Sequence, residues 1–196
     1  MARRQKKSQP GRLRIVAGNW RSRLLQIADV PGLRPTSERV RETLFNWLAD
    51  DIHGARCLDL CAGTGALGLE ALSRGAGQSV FVETSAVAAQ ALQANIGLLD
   101  AENAEVINGD ACRFLENYSD LPFDLVFLDP PFAEDMLGDL CRLLGKGQAL
   151  ADDALVYLEM DRKQAPPELP AGWSIEKDKT AGNVRYLLVR AVRNEQ

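Results

Sequence analysis

The chain has 196 residues, 46% hydrophobic and 26% charged, a balance typical of one globular domain with a substantial core. None of its apolar runs approaches the roughly 20 residues of a membrane-spanning helix, and its first residues lack the apolar stretch of a signal peptide. We therefore expect a cytoplasmic protein with no membrane partner. Its four cysteines include no C-x-x-C pair, and its single histidine has no partner at metal-ligand spacing, so no metal site is predicted.

The net charge of −4 hides two regions of opposite sign. Residues 1–41 carry eleven Lys and Arg against two acidic residues, whereas the remainder carries twelve against twenty-five. A basic N-terminal region points to an anionic partner such as nucleic acid. Residues 1–11 are predicted to form a basic flexible arm, with a disordered solubilising tail as the alternative for residues 1–10.

Residues 12–50 are predicted to form a small β-hairpin and a helix that face RNA. Residues 12–16 alternate polar and apolar side chains, and residues 24–27 resume an apolar run after a turn. Thr36 or Ser37 can cap the helix that follows. Arginine beside an aromatic residue suits phosphate pairing and base stacking. The predicted RNA contacts are Arg12, Arg14, Trp20, Arg21, Arg23, Arg34, Arg39 and Arg41.

Residues 51–196 alternate short apolar strands with helices. The predicted strands are 56–60, 79–82, 105–107, 124–128 and 155–159, and the predicted helices are 66–74, 86–98, 111–118 and 134–144. Repeated β-α units of this length predict an α/β fold, with a mostly parallel sheet covered by helices on both faces. Residues 173–175 and 184–189, separated by residues 178–183, are predicted to form an antiparallel C-terminal hairpin at the sheet's edge.

A glycine-rich stretch, Ala62-Gly63-Thr64-Gly65-Ala66-Leu67-Gly68, joins the first of these strands to its helix. The glycines permit a tight turn and the close approach of a ligand to the main chain. The spacing of the three glycines also satisfies the dinucleotide-binding pattern of nicotinamide enzymes. A Walker nucleotide site is excluded because the chain contains no G-x-x-x-x-G-K.

Acidic residues follow three predicted strands, and these strand ends should line one crevice. Glu83 can accept both ribose hydroxyls, Asp110 an adenine amino group, and Asp59 a ligand's ammonium, directly or through water. So many carboxylates would repel a pyrophosphate, whereas S-adenosylmethionine carries a sulfonium, an ammonium and only one carboxylate. The chemistry favours this methyl donor. The predicted cofactor-binding residues are Asp59, Ala62, Gly63, Gly65, Glu83, Asp110, Ala111 and Thr36.

The fourth strand ends in Asp129-Pro130-Pro131-Phe132. Consecutive prolines stiffen the main chain and lack N–H groups, which leaves carbonyls free to accept hydrogen bonds. We interpret the stretch as a lip that binds an amino group, with Asp129, Pro130 and Phe132 as catalytic candidates. The alternative is a turn with a solvated aspartate and a core phenylalanine.

This stretch resembles the Asp/Asn-Pro-Pro-aromatic motif of methyltransferases that act on amino groups of nucleic-acid bases. With residues 34–48 and the 15–23 hairpin, the chain from about residue 12 to 190 resembles the RsmD family of bacterial 16S ribosomal RNA guanine-N2 methyltransferases. The resemblance implies a Rossmann-like class I S-adenosylmethionine-dependent fold with a seven-stranded sheet. It also implies a monomer that acts on one guanine of 16S rRNA in the assembled or assembling small ribosomal subunit.

The residues alone leave other functions open. Amine chemistry permits adenine-N6 or cytosine-N4 as targets, in RNA or DNA, and guanine-N2 rests on the family resemblance. A nicotinamide oxidoreductase would explain the glycines and Glu83, but not the prolines or the basic hairpin. A non-catalytic RNA-binding assembly factor would explain the arginines, but not the crevice.

Overall fold

A computed structural model describes residues 11–31, 33, 35–131 and 136–192 of the chain. The strands of this part are β1 Arg12–Arg14, β2 Leu24–Gln26, β3 Arg56–Asp59, β4 Gln78–Glu83, β5 Ala104–Asn108, β6 Phe123–Leu128, β7 Leu150–Asp161, β8 Trp173–Ala181 and β9 Val184–Ala191. The helices are α1 Glu38–Trp47, α2 Ala66–Ser73, α3 Ala86–Leu98, α4 Ala111–Glu116 and α5 Leu137–Lys146. Most of the predicted basic arm, Arg34 and Phe132 lie outside the described residues.

Seven of the described strands form one sheet, in the order β5-β4-β3-β6-β7-β9-β8. The first five strands of this order pair in parallel, and β9 pairs antiparallel with both β7 and β8. The predicted mostly parallel sheet with an antiparallel C-terminal hairpin is confirmed. Because the chain runs outward in both directions from β3, the strand order reverses between β3 and β6, where open α/β sheets bind ligands.

Helices cover both faces of this sheet, which explains why its central strands are almost continuously apolar. Alternate residues of β6 point to opposite faces: Phe127 joins an apolar cluster with α1, α2 and the β1–β2 hairpin. Val126 and Leu128 join a second cluster with α4 and α5. The hairpin and α1 therefore lie on the same side of the sheet as α2.

Helix α2 is buried along its whole length, because the sheet covers one side and the N-terminal elements cover another. Its Glu70 side chain accepts hydrogen bonds from the main-chain N–H groups of Val16 and Ala17, at 2.8 and 2.9 Å. The same carboxylate pairs with Arg41 at 3.0 Å and with Arg74 at 2.8 Å. The N-terminal elements are thus joined to the sheet domain through one buried carboxylate.

Several predicted boundaries differ from the structure by one to three residues, and two strands are much longer than predicted. Strand β8 continues to Ala181, and the hairpin turns at Gly182, whose φ of +61° suits a two-residue loop. Strand β7 begins at Leu150 rather than residue 155, and its pairing with β6 shifts register between these two residues. Both extensions contain exposed charged residues, so an apolar run alone underestimates the length of such strands. Among the described residues, no helix is both long and apolar enough to cross a membrane.

Candidate active site

The glycine loop lies between β3 and α2, at the carboxyl edge of the sheet. Gly63 and Gly65 have positive φ angles of +53° and +72°, which L side chains rarely adopt. A Cβ atom on Gly65 would lie 2.4 Å from Leu92 Cδ1. Gly65 also caps α2 without a side chain, so the main chain stays open to a ligand at the first turn.

Glu83 ends β4 beside this loop. Its Oε2 accepts from the Gly63 N–H at 2.7 Å, and its Oε1 accepts from the Ser85 N–H at 2.7 Å. These bonds fix the carboxylate against the glycine loop, and the side chain is half-buried. Each oxygen keeps a second lone pair, so Glu83 can still accept hydrogen bonds from a diol.

Asp59 lies beneath the loop, with only 2% of its surface exposed. Its Oδ2 accepts from the Gly68 N–H at 3.0 Å, which joins the end of β3 to α2. The pKa of Asp59 is raised to about 8, mainly by burial and also by the carboxylates of Asp129 and Glu83, although the Gly68 hydrogen bond opposes the rise. Asp59 thus shapes the loop from below, and its predicted contact with a ligand's ammonium stays a prediction.

The other predicted cofactor residues lie around the same edge. Asp110 caps α4 by accepting from the Arg113 N–H at 2.9 Å, and its side chain is exposed. Ala111 follows it as the first residue of α4 and is buried. Ala62 accepts from the Gly65 N–H at 2.7 Å and donates to Val82, so its main chain closes the loop. The loop's shape is therefore fixed by its own main-chain bonds.

Asp129 follows β6, the strand next to β3, and is half-buried. Its Oδ2 accepts a hydrogen bond of 3.0 Å from the Thr36 hydroxyl. The pKa of Asp129 is raised to about 6, because burial raises it and the Thr36 bond only partly opposes the rise. Thr36 therefore lies with the predicted catalytic carboxylate, and its predicted cofactor contact is untested. Pro130 is buried and Pro131 is exposed.

Sequence reasoning missed two residues at this edge, Glu159 and Tyr157. Glu159 is 5% exposed, and its Oε2 accepts from the Tyr157 hydroxyl at 2.8 Å. The signal that could have found it is its position: it ends the apolar run of β7, as Asp129 ends that of β6. Glu70, the buried acid of α2, was also missed, because nothing in its local sequence separates it from a surface glutamate.

Most of the predicted RNA contacts are exposed, but Arg41 is not. Arg41 is 1% exposed, pairs with Glu70 and donates to the main-chain carbonyls of Thr36 and Arg14. Burial lowers the pKa of Arg41. The prediction that Arg41 contacts RNA is wrong, because its guanidinium is buried and hydrogen-bonded to groups within the protein.

The remaining predicted arginines are exposed on the N-terminal elements: Arg12, Arg14, Arg21, Arg23 and Arg39. We call these five residues the arginine surface. Arg14 lies 3.6 Å from Glu38 in an exposed ion pair, and Arg23 donates to the Leu98 carbonyl. Trp20 packs partly against the core, so only part of its ring is open.

Comparisons with known proteins agree with this geometry. Ribosomal RNA small subunit methyltransferase D of Escherichia coli (strain K12) is 48% identical over 178 residues, 91% of this chain and 89% of the relative. A solved structure of an Escherichia coli protein described as methyltransferase yhhF has a TM-score of 0.88 at 44% identity. It covers 94% of this chain and 100% of that chain.

A more distant structure shows the fold alone. SMU.776, described as a methyltransferase complexed with SAH, matches with a TM-score of 0.61 at 16% identity, over 78% of this chain and 48% of its own. The described architecture is the Rossmann-like class I methyltransferase fold. The sequence profile described as Conserved hypothetical protein 95 matches residues 13–190. The chain belongs to this family, the RsmD family, which confirms the resemblance seen in its motifs.

Proposed function

We propose that this protein transfers a methyl group from S-adenosylmethionine to the exocyclic N2 amine of one guanine in 16S rRNA of the small ribosomal subunit. The observation that carries the proposal is the position of Asp129 and Pro130. They follow β6 at the point where the strand order reverses, next to the glycine loop after β3. The names of the high-identity relatives, rRNA small subunit methyltransferases, support the substrate class.

The residues at the carboxyl edge fit the proposed cofactor. The open main chain at Gly63 and Gly65 admits close approach, where a side chain would be strained. Glu83 offers fixed acceptors for ribose hydroxyls, and Asp110 has an exposed carboxylate for the adenine amino group. The carboxylates of Glu83 and Asp110 add negative charge beside the loop, which favours a ligand that carries ammonium and sulfonium groups. When bound, S-adenosylmethionine supplies an electrophilic methyl group.

Asp129 and Pro130 then act on the target amine. A guanine N2 amine is a poor nucleophile, because its lone pair is delocalised into the ring. The amine would donate one hydrogen bond to the Asp129 carboxylate and one to the Pro130 carbonyl. These two bonds would orient the nitrogen lone pair toward the methyl group. Such positioning can contribute about 7–11 kcal/mol to lowering a barrier. Nitrogen acquires positive charge as the N–C bond forms, and Asp129 takes the released proton.

The RNA surface of this proposal is the arginine surface, which adjoins α1. Its guanidinium groups would pair with phosphates and hold the RNA while the target base leaves its stack. Phe132 is proposed to stack on that base, a contact of about 1–3 kcal/mol. We further propose that the protein acts as a cytoplasmic monomer on the assembled or assembling subunit, because the arginine surface and the crevice belong to one chain.

Two measurements test the proposal. The purified protein is incubated with labelled S-adenosylmethionine and small-subunit particles that lack the modification, and the RNA is digested to nucleosides. N2-methylguanosine is expected, and another methylated base would contradict the assignment of guanine. Titration calorimetry should show binding of S-adenosylmethionine but not of NAD, and the reverse would favour a nicotinamide enzyme.

A further inference from the structure

A second buried acid lies beside the proposed catalytic carboxylate. Strands β6 and β7 pair in parallel, with Leu128 opposite Leu158. Asp129 follows Leu128, and Glu159 follows Leu158. The same register therefore brings these two acids opposite each other. Residues opposite each other in a parallel pair share a face of the sheet. The two carboxyl groups are therefore neighbours, although they come from different strands.

Thr36 adjoins both carboxyl groups. Its hydroxyl donates to Asp129 Oδ2 at 3.0 Å, and it lies close enough to Glu159 to lower the pKa of that carboxyl group. Tyr157 donates to Glu159 Oε2 at 2.8 Å. A hydroxyl has one proton and can donate to only one of two ionised carboxylates. One further proton, on Glu159, would complete the network, with Glu159 donating to Thr36 and Thr36 donating to Asp129.

The surroundings favour a proton on Glu159 over one on Asp129. The pKa of Glu159 is raised to about 8, first by burial and then by the Asp129 carboxylate, although Tyr157 and Thr36 oppose the rise. The pKa of Asp129 is raised only to about 6, because burial raises it and the Thr36 bond opposes the rise. The other titratable groups among the described residues that face Glu159 are Tyr157 on β7 and Tyr186, opposite it on β9. The nearby cation, Arg41, pairs with Glu70 and meets this network at the main-chain carbonyl of Thr36.

We propose that protonated Glu159 is a positioning residue for Asp129, acting through the Thr36 hydroxyl. The network occupies Asp129 Oδ2, and Oδ1, which has no donor among the described residues, is proposed to accept the target amine. When Glu159 ionises, it no longer donates to Thr36, and a second negative charge arises beside Asp129. Turnover should then fall on the alkaline side. This inference rests on the proposed function, because it concerns the carboxylate that is proposed to bind the amine.

The first test is the pH dependence of kcat at saturating RNA and S-adenosylmethionine. The native protein should lose turnover above about pH 8 as Glu159 ionises. In Glu159→Gln this alkaline loss should disappear, because the amide still donates to Thr36 and does not ionise. The matched control is Glu168→Gln, at an exposed glutamate, which should keep the native profile. The same alkaline midpoint in Glu159→Gln as in the native protein would overturn the proposal.

A second test needs no substrate. Infrared difference spectroscopy at pH 7, native protein minus Glu159→Gln, should show the stretching band of a buried protonated carboxyl, because the subtraction removes the band of Asp59 that both proteins share. This difference band should weaken above about pH 8, and the native protein minus Glu168→Gln should not show it. Absence of the difference band at pH 7 would refute the proton on Glu159. Failure of methyl transfer by the native protein would instead refute the proposed function, and the infrared result would still stand.

Thr36 provides the variants to use if Glu159→Gln does not fold. Thr36→Ser keeps the hydroxyl and should keep the native pH profile. Thr36→Val removes the hydroxyl at nearly constant volume and should lower kcat by about tenfold or more, with the KM for S-adenosylmethionine unchanged. Equal kcat values for the two variants, or an effect confined to that KM, would contradict the role of the network.

Discussion

Two carboxylates on the same side of the sheet, Glu70 and Asp129, differ in how completely their oxygens are used. Glu70 is 0% exposed and accepts from four donors, two of them main-chain N–H groups and two arginines. Asp129 is half-buried, and within the described part of the chain its one hydrogen-bond donor is Thr36.

This difference separates a structural acid from a site. A buried carboxylate whose lone pairs are all satisfied has nothing to offer a ligand, and its removal should cost stability. A carboxylate at a strand end with an unused oxygen can accept a ligand's N–H, and its removal should cost activity. The predictions below test this contrast, from the largest expected effect to the smallest.

Asp129→Ala should abolish methyl transfer, with a loss in kcat of at least about 10³, because both the orientation of the amine and the acceptor of its proton are lost. Affinity for S-adenosylmethionine, measured by calorimetry, should stay within a few-fold, because Asp129 is proposed to contact the amine and not the donor. Native turnover by this variant would show that Asp129 has no catalytic role.

Glu70→Ala should destabilise the protein by about 3–5 kcal/mol, because it leaves Arg41 buried without its partner. Urea unfolding measures this change. The matched control is Asp139→Ala, which breaks an exposed ion pair with Arg142 and should cost no more than about 1 kcal/mol. Equal unfolding midpoints for the two variants would show that the satisfied carboxylate is not a structural clamp.

On the acid side, kcat should fall as Asp129 is protonated. Its pKa, raised by burial to about 6, lies above the ordinary value of 3.8, and the ionised form is the proposed acceptor. Turnover should therefore be complete above this pKa and fall about tenfold per pH unit below it. Asp129→Asn keeps an acceptor oxygen but cannot titrate, so its lower activity should be flat across this range. An acid limb that persists in Asp129→Asn would assign the titration to another group.

The smallest effect concerns the arginine surface. Replacing Arg12, Arg14, Arg21 and Arg23 with alanine should weaken RNA binding and reduce the slope of log affinity against log salt by about 0.7 for each lost phosphate contact. The control replaces Arg162, Lys163, Lys177 and Lys179, four exposed cations on β8 and after β7, with the same change in charge. Equal slopes for the two variants would show that the hairpin does not bind RNA.

Much of the fold could be predicted from local pattern. The bounds of α3, residues 86–98, agree with the predicted helix, because Ser85 caps it and an apolar face continues to its end. Strands β7 and β8 were underestimated, since the first residues of β7 and most of β8 include exposed charged side chains that follow no apolar period. The strand ends of the site were predictable for a related reason: an acid directly after a buried strand stands out in the sequence.

The sequence by itself determined the parallel sheet, the glycine loop, the acids after its strands and the family, because short-range periodicity and contiguous motifs carry this information. Tertiary structure alone decided which charged residues are internal. Arg41 and Glu70 are separated by 29 positions and read as surface residues, yet they form a buried pair. Thr36 reaches Asp129 across 93 positions. Such pairings depend on how α1 packs on the sheet, and no local pattern encodes that packing.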